Sequence, residues 1–371
     1  MKTILHIFRT YNRDSSLFND IVKAGDGHFN NIVCYLTGAD DGHNKMAEIA
    51  NDVVYLDLNK HQVTWRCPGT VIKIKQLIQR HRVDLVDCHM WRAMPIGALA
   101  SLFGPGKVKV VGVFHGVKAR LSVRMKLLYY FTLKRMSRIA SVSEGGVDDI
   151  KALLWGVDPD KLVAIPNGLD FTRFSTVAAG DKKALFGASL ENKRIFITVS
   201  RLALKKNLER FLRAFSHVHS AYPNAGLVIV GDGEVRPRLE SFVADKGLSS
   251  SVTFLDFRDD IPTLLKTADI YAIPSLREGL PRSLIEAMAV GKPVLASRIN
   301  GHEEVVSDPE HGRLVDALDV DDIAAAIEYF MRLPIEELEA QGVAAREYAH
   351  NNLHRDKMMA KYLKLFQDTL A

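Results

Sequence analysis

Two glutamates, Glu278 and Glu286, stand eight residues apart in a segment that predicts a strand, a loop and a helix. An apolar run ends at Ile273, Pro281 suits the first turn of a helix, and Gly291 suits its C-terminal cap. A helix start offers free backbone N–H groups and the positive end of the helix dipole, which together bind phosphate. A carboxylate can accept hydrogen bonds from two vicinal hydroxyls of a ribose or a hexose. These residue types could bind a sugar phosphate, but their spacing alone does not decide it, because both glutamates also fit a solvated helix face and a dipole complement.

Thirteen short apolar runs, rich in Val and Ile, alternate along the chain with longer helical patterns. Runs that are apolar throughout, rather than alternating, are typical of parallel strands buried on both faces. The first series covers residues 4–8, 31–36, 53–55, 85–88, 108–114, 138–142 and 163–165. The second series covers residues 194–199, 226–230, 252–254, 270–273, 293–296 and 312–315.

Two such series predict an α/β protein made of two Rossmann-like, doubly wound domains. Turn-forming residues between 166 and 183 predict the change from one domain to the next. Ligands of open α/β sheets bind outside the carboxyl ends of the strands. Two domains facing a central cleft would therefore place the site in that cleft, at residues that follow strands.

Composition limits the class of protein. The chain has 371 residues, 47% apolar and 25% charged, which fits two globular domains and excludes wholesale disorder. Its three cysteines form no C-x-x-C pair, which argues against a disulfide framework and a cysteine-rich zinc site. We find neither a signal-peptide pattern nor an apolar run of membrane-spanning length, and we expect a cytoplasmic protein. Attachment to the inner face of the cytoplasmic membrane stays open.

The segment around Glu278 and Glu286 resembles the E-x7-E element of family 4 glycosyltransferases, the "glycosyl transferases group 1" type, which have the GT-B fold. Further blocks similar to that family follow in the family's order over about residues 108–330. They are VFHG at 113–116, ASVSE at 140–144, IPNGLDFTRF at 165–174, VSRLALKKN at 199–207, IVGDG at 229–233 and NGHEEVV at 300–306.

The resemblance implies a retaining hexosyltransferase that uses a nucleotide diphosphate sugar, UDP- or GDP-linked, with no metal or other cofactor. Carried over, Arg201 and Lys206 would hold the donor diphosphate, where fixed cations stabilise the charge of the leaving group. Glu278 would hold the hydroxyls of the donor hexose near the reacting carbon, and Glu286 those of the ribose. His115 resembles the family's histidine beside the donor sugar, although a histidine there also fits a purely structural role.

Other carried-over contacts concern backbone groups. Gly279 and Leu280 would offer N–H groups to sugar or phosphate, and the base would lie near Phe257 and Arg258. His89 matches no block and is expected to be structural.

The chain departs from the family pattern in its first loop. A glycine pair is common there, whereas this chain has Thr-Tyr-Asn-Arg-Asp-Ser-Ser, in which Arg13, Ser15 or Ser16 could substitute. Asn207 and Asn300 replace glycines, and because Asn tolerates positive φ we expect both changes to be accommodated.

Two D-x-D sequences, at 158–160 and 319–321, match a motif of metal-dependent glycosyltransferases of another fold. Turn and helix-start chemistry explains both, so we expect no metal site there. GDG at 231–233 lacks the third glycine of a dinucleotide fingerprint, which argues against a dehydrogenase.

Charge is unevenly distributed. Residues 1–180 hold 24 Lys and Arg against 16 Asp and Glu, and the other 191 residues hold 25 against 28. Seven of the cations lie in Lys118–Arg138, which has no acid and many apolar and aromatic residues. This stretch could form a helix that contacts an anionic membrane surface or one whose basic edge is merely solvated. We expect no nucleic-acid partner, because no binding module accompanies the charge.

These observations predict an acceptor-binding domain over residues 1–170, with a helix at about 354–370 packing back on it. A donor-binding domain would occupy residues 171–353. The acceptor would be a glycan or a lipid-linked sugar, in lipopolysaccharide or other cell-surface polysaccharide synthesis. A GT-B sugar-nucleotide epimerase and a non-catalytic sugar-nucleotide binder are the alternatives.

Overall fold

The computed structural model describes residues 1–11, 16–59, 61–104, 106–116 and 121–371. The chain divides into two compact units, Met1–Gly168 with Arg355–Ala371, and Leu169–His354. Arg13, Ser15, Lys118 and Arg120, on which some of the predictions rest, lie outside the described residues.

The first unit is built on a seven-stranded parallel sheet. Its strands run in the order β3-β2-β1-β4-β5-β6-β7. They are β1 (Thr3–Thr10), β2 (Asn30–Thr37), β3 (Asp52–Tyr55), β4 (Leu85–His89), β5 (Lys109–Phe114), β6 (Arg138–Ser141) and β7 (Leu162–Ala164). Its first five helices are α1 (Ser16–Lys23), α2 (Pro68–Arg80), α3 (Met90–Ala100), α4 (Val123–Arg135) and α5 (Glu144–Leu153).

The second unit is built on a six-stranded parallel sheet in the order β10-β9-β8-β11-β12-β13. Its strands are β8 (Arg194–Val199), β9 (Ala225–Val230), β10 (Val252–Leu255), β11 (Ile270–Ile273), β12 (Val294–Ser297) and β13 (Gly312–Val315). Its helices are α6 (Thr172–Ser175), α7 (Lys182–Phe186), α8 (Leu208–His219), α9 (Arg236–Asp245), α10 (Ile261–Thr267), α11 (Arg282–Ala289), α12 (Asn300–Glu303), α13 (Val320–Arg332) and α14 (Ile335–Asn352).

The last helix, α15 (Arg355–Leu370), belongs to the first unit. It packs against α1, and its Met358, Tyr362 and Phe366 join a core cluster with Ile4 and Val113 of the first sheet. Among the described residues, no helix is both long enough and apolar enough to cross a membrane.

The two parallel sheets confirm the predicted α/β class. All thirteen strands occur where the apolar runs predict them. The first sheet, for example, buries Ile7 and Val86 on one face and Ile4 and Val113 on the other, which explains why its strands are apolar throughout. In both sheets the order reverses beside the first strand, between β1 and β4 and between β8 and β11. Such a reversal opens a crevice at the carboxyl ends of the strands.

The two D-x-D sequences cap helices, as predicted. The Asp158 carboxylate accepts a hydrogen bond from the backbone N–H of Asp160, at 3.1 Å. The Asp319 carboxylate accepts from the N–H groups of Asp321 and Asp322, at 2.9 and 3.2 Å, and so caps α13. Both sequences therefore have a structural explanation.

The cap at Asp319 predicts a change in thermal stability. Asp319→Ala leaves two backbone donors of α13 without a partner, which costs about 1 kcal/mol and lowers Tm by roughly 2–4 °C. Asp319→Asn keeps a side-chain acceptor and should restore most of the loss. Differential scanning calorimetry of the two variants measures the difference, and an equal Tm for Ala and wild type would contradict the capping role.

Candidate functional site

Two loops of the second unit meet at the reversal of its sheet order. The loop after β8 carries Lys205 and Lys206, and the loop after β11 carries Glu278. Lys206 Nζ lies 2.7 Å from Glu278 Oε1, and Lys205 Nζ lies 3.3 Å from Glu278 Oε2. The side chains of Glu278 and Lys206 are only 10% and 12% exposed. One carboxylate therefore lies between two ammonium groups in a largely desolvated place, where charges act strongly on a ligand.

Asn207 fixes the first of these loops. Its φ of 59° lies in the left-handed region, as the replacement of a glycine predicts. Its side-chain amide donates to the carbonyls of Pro274 and Ala317, at 3.1 and 2.7 Å. Leu276 N–H donates to the Lys205 carbonyl at 2.8 Å. The asparagine thus supplies the backbone conformation of a glycine and also ties the loop after β8 to two other loops.

The sequence predicts that Asn300 can replace a glycine because Asn tolerates positive φ, and this reason is wrong. Asn300 begins the helical turn α12, and it is not among the described residues with positive φ. The neighbouring Gly301 carries the constraint instead, because a Cβ built there would lie 1.3 Å from the Gly279 carbonyl oxygen. The loop that holds Glu278 and Gly279 is therefore seated on the backbone of Gly301.

The helix after Glu278 differs slightly from the prediction. Pro281 is the N-cap of α11 rather than a residue of its first turn. Gly291 ends the helix as predicted, with φ of 78° and its N–H donating to the Met288 carbonyl at 2.9 Å. Glu286 lies on this helix and Glu278 just before it, so the two carboxylates occupy separate positions along α11.

The two carboxylates have opposite electrostatic environments. Burial opposes ionisation of Glu278, but Lys206 and Lys205 outweigh it and hold the pKa of this carboxyl below its usual value. Burial raises the pKa of Glu286, and the positive charges of Arg282 and Arg173 only partly offset that shift. Glu278 is thus a fixed anion, whereas the ionised form of Glu286 is disfavoured by its burial.

His302 lies beneath the Glu278 loop and is fully buried. Its Nδ1 lies 3.0 Å from the Ser297 carbonyl, while its Nε2 is buried without a hydrogen-bond partner among the described residues. Burial lowers the pKa of His302 to about 4. The buried imidazole of His302 is therefore neutral where it packs beneath the loop that carries Glu278.

Within the described part of the chain, three residues predicted to contact the donor, Arg201, Phe257 and Arg258, form no hydrogen bond or ion pair with Glu278 or its two lysines. Arg201 is exposed, and its guanidinium lies 3.3 Å from Glu234. Phe257 is 72% exposed, and Arg258 donates to the Asp260 carboxylate at 2.7 and 2.5 Å. Their assignment to the diphosphate and to the base stays a prediction. The predicted roles of Gly279 and Leu280 also stay predictions, and the Leu280 side chain is buried.

His115 lies in the first unit, directly after β5 and beside the end of β4. Its Nε2 lies 2.9 Å from Nδ1 of His89, and His89 Nε2 lies 2.7 Å from the Asp87 carboxylate. The histidine predicted to face a sugar therefore ends a chain of buried polar groups.

Sequence reasoning passed over several of these residues. Lys205 adjoins Lys206 and could have been found from that adjacency. Arg173 and His302 lie in the blocks at 165–174 and 300–306, but the sequence assigns no role to them because the glutamates that they face are distant in sequence. The sequence predicts a structural role for His89, and its contact with His115 spans 26 residues.

The contact between Gly301 and Gly279 predicts a strong effect of one methyl group. Gly301→Ala must separate two backbone segments, which costs about 1–3 kcal/mol and displaces the Glu278 loop. A thermal-shift titration should show a lower Tm and weaker stabilisation by added UDP than in wild type. Gly69→Ala is the matched control, because no atom lies within 4 Å of its Cβ position. Wild-type stabilisation of Gly301→Ala by UDP would refute the constraint.

The sequence matches two family descriptions. Residues 182–348 match "Glycosyl transferases group 1", and residues 24–173 match "Glycosyltransferase Family 4".

Among curated relatives, the Escherichia coli UDP-Gal:alpha-D-GlcNAc-diphosphoundecaprenol alpha-1,3-galactosyltransferase is 32% identical over 269 residues, 70% of this chain and 69% of the relative. The GDP-mannose-dependent alpha-(1-6)-phosphatidylinositol monomannoside mannosyltransferase of Mycolicibacterium smegmatis is 28% identical over 346 residues, 85% and 84% of the two chains. Among solved structures, Anabaena HepE in complex with UDP and glucose has a TM-score of 0.83 at 21% identity, covering 99% of this chain and 100% of that one. The chain therefore belongs to the group 1, family 4 glycosyltransferases of the GT-B fold.

Proposed function

We propose that this glycosyltransferase moves a hexose from a UDP-linked donor to a lipid-linked or glycan acceptor, with retention at the anomeric carbon and without a metal ion. The observation that carries the proposal is the placement of Glu278 between Lys205 and Lys206 at the reversal of the second sheet. The galactosyltransferase relative and the UDP-bound structural neighbour support a UDP-linked donor. A GDP-linked donor, as in the mannosyltransferase relative, is the alternative that the assay below distinguishes.

Lys205 and Lys206 would stabilise the departing diphosphate. Negative charge grows on the leaving group as the glycosidic bond breaks, so cations fixed nearby lower the energy of the transition state more than that of the ground state. Both lysines are held beside Glu278, so their ammonium groups need little reorganisation. Their two positive charges could provide the neutralisation that a divalent cation provides in metal-dependent transferases.

Glu278 and Glu286 would orient the donor. The Glu278 carboxylate can accept hydrogen bonds from hexose hydroxyls while the lysines keep it ionised. Glu286 would accept from the ribose hydroxyls farther along α11. Glu278 then acts by positioning, and the acceptor hydroxyl would attack on the face from which the diphosphate leaves, with a phosphate oxygen as its base.

The acceptor side of the proposal rests on helix α4. Val123, Leu127 and Phe131 recur every fourth residue on this helix and are 62%, 47% and 68% exposed. The opposite face is buried through Tyr129 and Leu133. A stripe of exposed apolar side chains on a basic helix is suited to the boundary between lipid headgroups and acyl chains.

Cations lie on α4 and at its C-terminal end. Lys126 Nζ lies 5.2 Å from the ring of Trp155, which is also exposed. At the C-terminal end of α4, a cavity of about 460 Å³ is lined by six cations, Lys107, Lys109, Lys134, Arg135, Arg138 and Lys161. Asp368, the only acid of its lining, is paired with Lys364. We therefore infer contact with an anionic membrane, where a lipid-linked acceptor in lipopolysaccharide or other cell-surface polysaccharide synthesis would be found.

The reaction is tested by release of the nucleoside diphosphate from UDP-glucose, UDP-galactose, UDP-N-acetylglucosamine and GDP-mannose, with and without a diphosphoundecaprenol-linked sugar. We expect acceptor-dependent release of UDP. Lys206→Ala should reduce turnover by about 10²–10³-fold, the loss typical of one fixed donor to a developing anion. Lys246→Ala, an exposed lysine of the same unit, is the control. Conversion of the donor without acceptor, or full activity of Lys206→Ala, would refute the proposal.

Membrane contact is tested by flotation with phosphatidylcholine vesicles that contain or lack phosphatidylglycerol. Wild type should float with the anionic vesicles, and Leu127→Ser with Phe131→Ser should lower the partition about tenfold or more, because two apolar side chains lose their burial in lipid. Val343→Ser removes an equally exposed apolar side chain from α14 and should leave flotation unchanged. Equal partition into both vesicle types would contradict the anionic surface.

A further inference from the structure

A continuous line of polar side chains crosses the first sheet beneath His115. His6 and Asp87 are register partners on β1 and β4, and His6 Nδ1 lies 2.8 Å from Asp87 Oδ2. The same oxygen lies 2.7 Å from His89 Nε2, and His89 Nδ1 lies 2.9 Å from His115 Nε2. The side chains of His6, Asp87 and His89 have no exposure at all. Every proton in this line must therefore be accounted for within the protein.

Asn31 determines the protonation of His6. Its side-chain amide nitrogen faces the Val22 carbonyl at 3.4 Å, so its oxygen is the atom that lies 3.3 Å from His6 Nε2. Since this oxygen is an acceptor, His6 Nε2 must donate. Its Nδ1 must donate too, because it faces a carboxylate. His6 is therefore an imidazolium, paired with Asp87.

The charge of this pair determines the state of His89. Burial opposes ionisation of Asp87, yet the adjoining His89 and His6 groups hold the pKa of its carboxyl well below the usual range. His6 and Asp87 together are neutral, and a second imidazolium would leave a buried net positive charge, which is costly. His89 is thus neutral, donates from Nε2 to Asp87 and accepts at Nδ1. The proton between His89 and His115 then belongs to His115 Nε2.

His115 is consequently left with one free acceptor. Its Nδ1 has no hydrogen-bond partner among the residues described by the structure. Burial lowers the pKa of His115 to about 3, so the ring stays neutral in ordinary buffers. Its ring edge also packs on Phe18, with centroids 5.6 Å apart. Ring orientation and protonation state are thus both fixed.

The backbone around the line is fixed as well. Met90, directly after His89, has φ of 73°, a conformation that costs a residue other than glycine about 1–3 kcal/mol. Trp91 Nε1–H donates to the Gly116 carbonyl at 3.0 Å, which ties the turn after β4 to the residue after His115. Tyr129 of α4 donates its hydroxyl hydrogen to the Trp91 carbonyl. Strain of this kind persists only where the surrounding structure holds it.

We infer that His6, Asp87 and His89 are positioning residues that hold His115 as the neutral Nε2–H tautomer, so that its Nδ1 accepts a hydrogen bond from a substrate hydroxyl. The substrate part of this inference rests on the proposed function, whereas the tautomer does not. A site of this kind selects a ligand with a hydroxyl at that position over one with a carbonyl or an ether there. The ligand-type atoms of His6, Asp87 and His89 lie within 4.8 Å of one another. Asp87 Oδ2 is already shared by His6 Nδ1 and His89 Nε2, whereas Asp87 Oδ1 is buried without a hydrogen-bond partner among the described residues.

The tautomer is measured by long-range ¹H–¹⁵N correlation spectra of the ¹⁵N-histidine-labelled protein, with His115→Gln identifying the His115 signals by their disappearance. We expect His115 and His89 each to show one protonated and one unprotonated ring nitrogen, with Nε2 protonated, and His6 to show two protonated nitrogens. A His115 ring protonated at Nδ1, an imidazolium at His89, or displacement of these signals by stoichiometric Zn²⁺ would overturn the inference. This result does not depend on any enzymatic activity.

The positioning role is tested with Asp87→Asn. Loss of the carboxylate should give His115 a mixture of tautomers and lower kcat/KM about 10–100-fold, by analogy with removal of the outer partner of a metal-bound imidazole. Cys88→Ala is the matched control, because the adjacent side chain is equally buried on the opposite face of β4. If Asp87→Asn gives His115 a mixture of tautomers but leaves kcat/KM unchanged, the positioning role of Asp87 is refuted. If Asp87→Asn does not fold, the wild-type spectrum decides whether His115 is the Nε2–H tautomer. If the wild-type enzyme transfers sugar from none of the donors, that result counts against the proposed function and not against the tautomer.

Discussion

The contact of Glu278 with Lys205 and Lys206 is the interaction on which the second unit's candidate site depends. A carboxylate that is 10% exposed is stable as an anion only beside compensating positive charge, and removal of one partner leaves a buried charge unpaired. Neighbouring constraints converge on this contact. Asn207 adopts a left-handed conformation at the turn that follows Lys205 and Lys206. The Gly279 carbonyl oxygen occupies the place that a side chain at Gly301 would need. The site is therefore held by the backbone, and the charged groups are presented on fixed loops.

The two units share one sheet order and use it for different chemistry. At the reversal of the second sheet stand an anion and two cations, which suit a phosphorylated ligand. Beside the reversal of the first sheet stands a buried line of imidazoles whose only ion pair is compensated within the core. One unit thus offers strong fixed charge, and the other offers a neutral acceptor of defined direction. The positive excess of the first half is partly concentrated in the cavity at the C-terminal end of α4.

The fold was largely predictable because buried parallel strands have a simple signature. Strands such as β8, β11 and β13 have the predicted bounds, and the others differ by two residues at most. Glu278 and Lys206 were found because each lies in a local block, close to a strand end. His6, Asp87 and Asn31 could not be found in this way, since their contacts join strands more than 20 residues apart in sequence. The expectation of a positive φ at Asn300 was wrong, because it applied a local rule to a position in a helical turn. The constraint lies at Gly301, which packs closely against the Gly279 carbonyl.

The most direct test of the account is a crystal structure of the protein with UDP. We expect the diphosphate to lie within hydrogen-bond distance of Lys206 Nζ, at the start of α11, and the Glu286 carboxylate to accept hydrogen bonds from the ribose hydroxyls. The loops that carry Lys206, Glu278 and Gly301 should keep their positions, because their contacts already exist. A nucleotide bound elsewhere, or one bound with Lys206 and Glu286 both out of contact, would contradict the account.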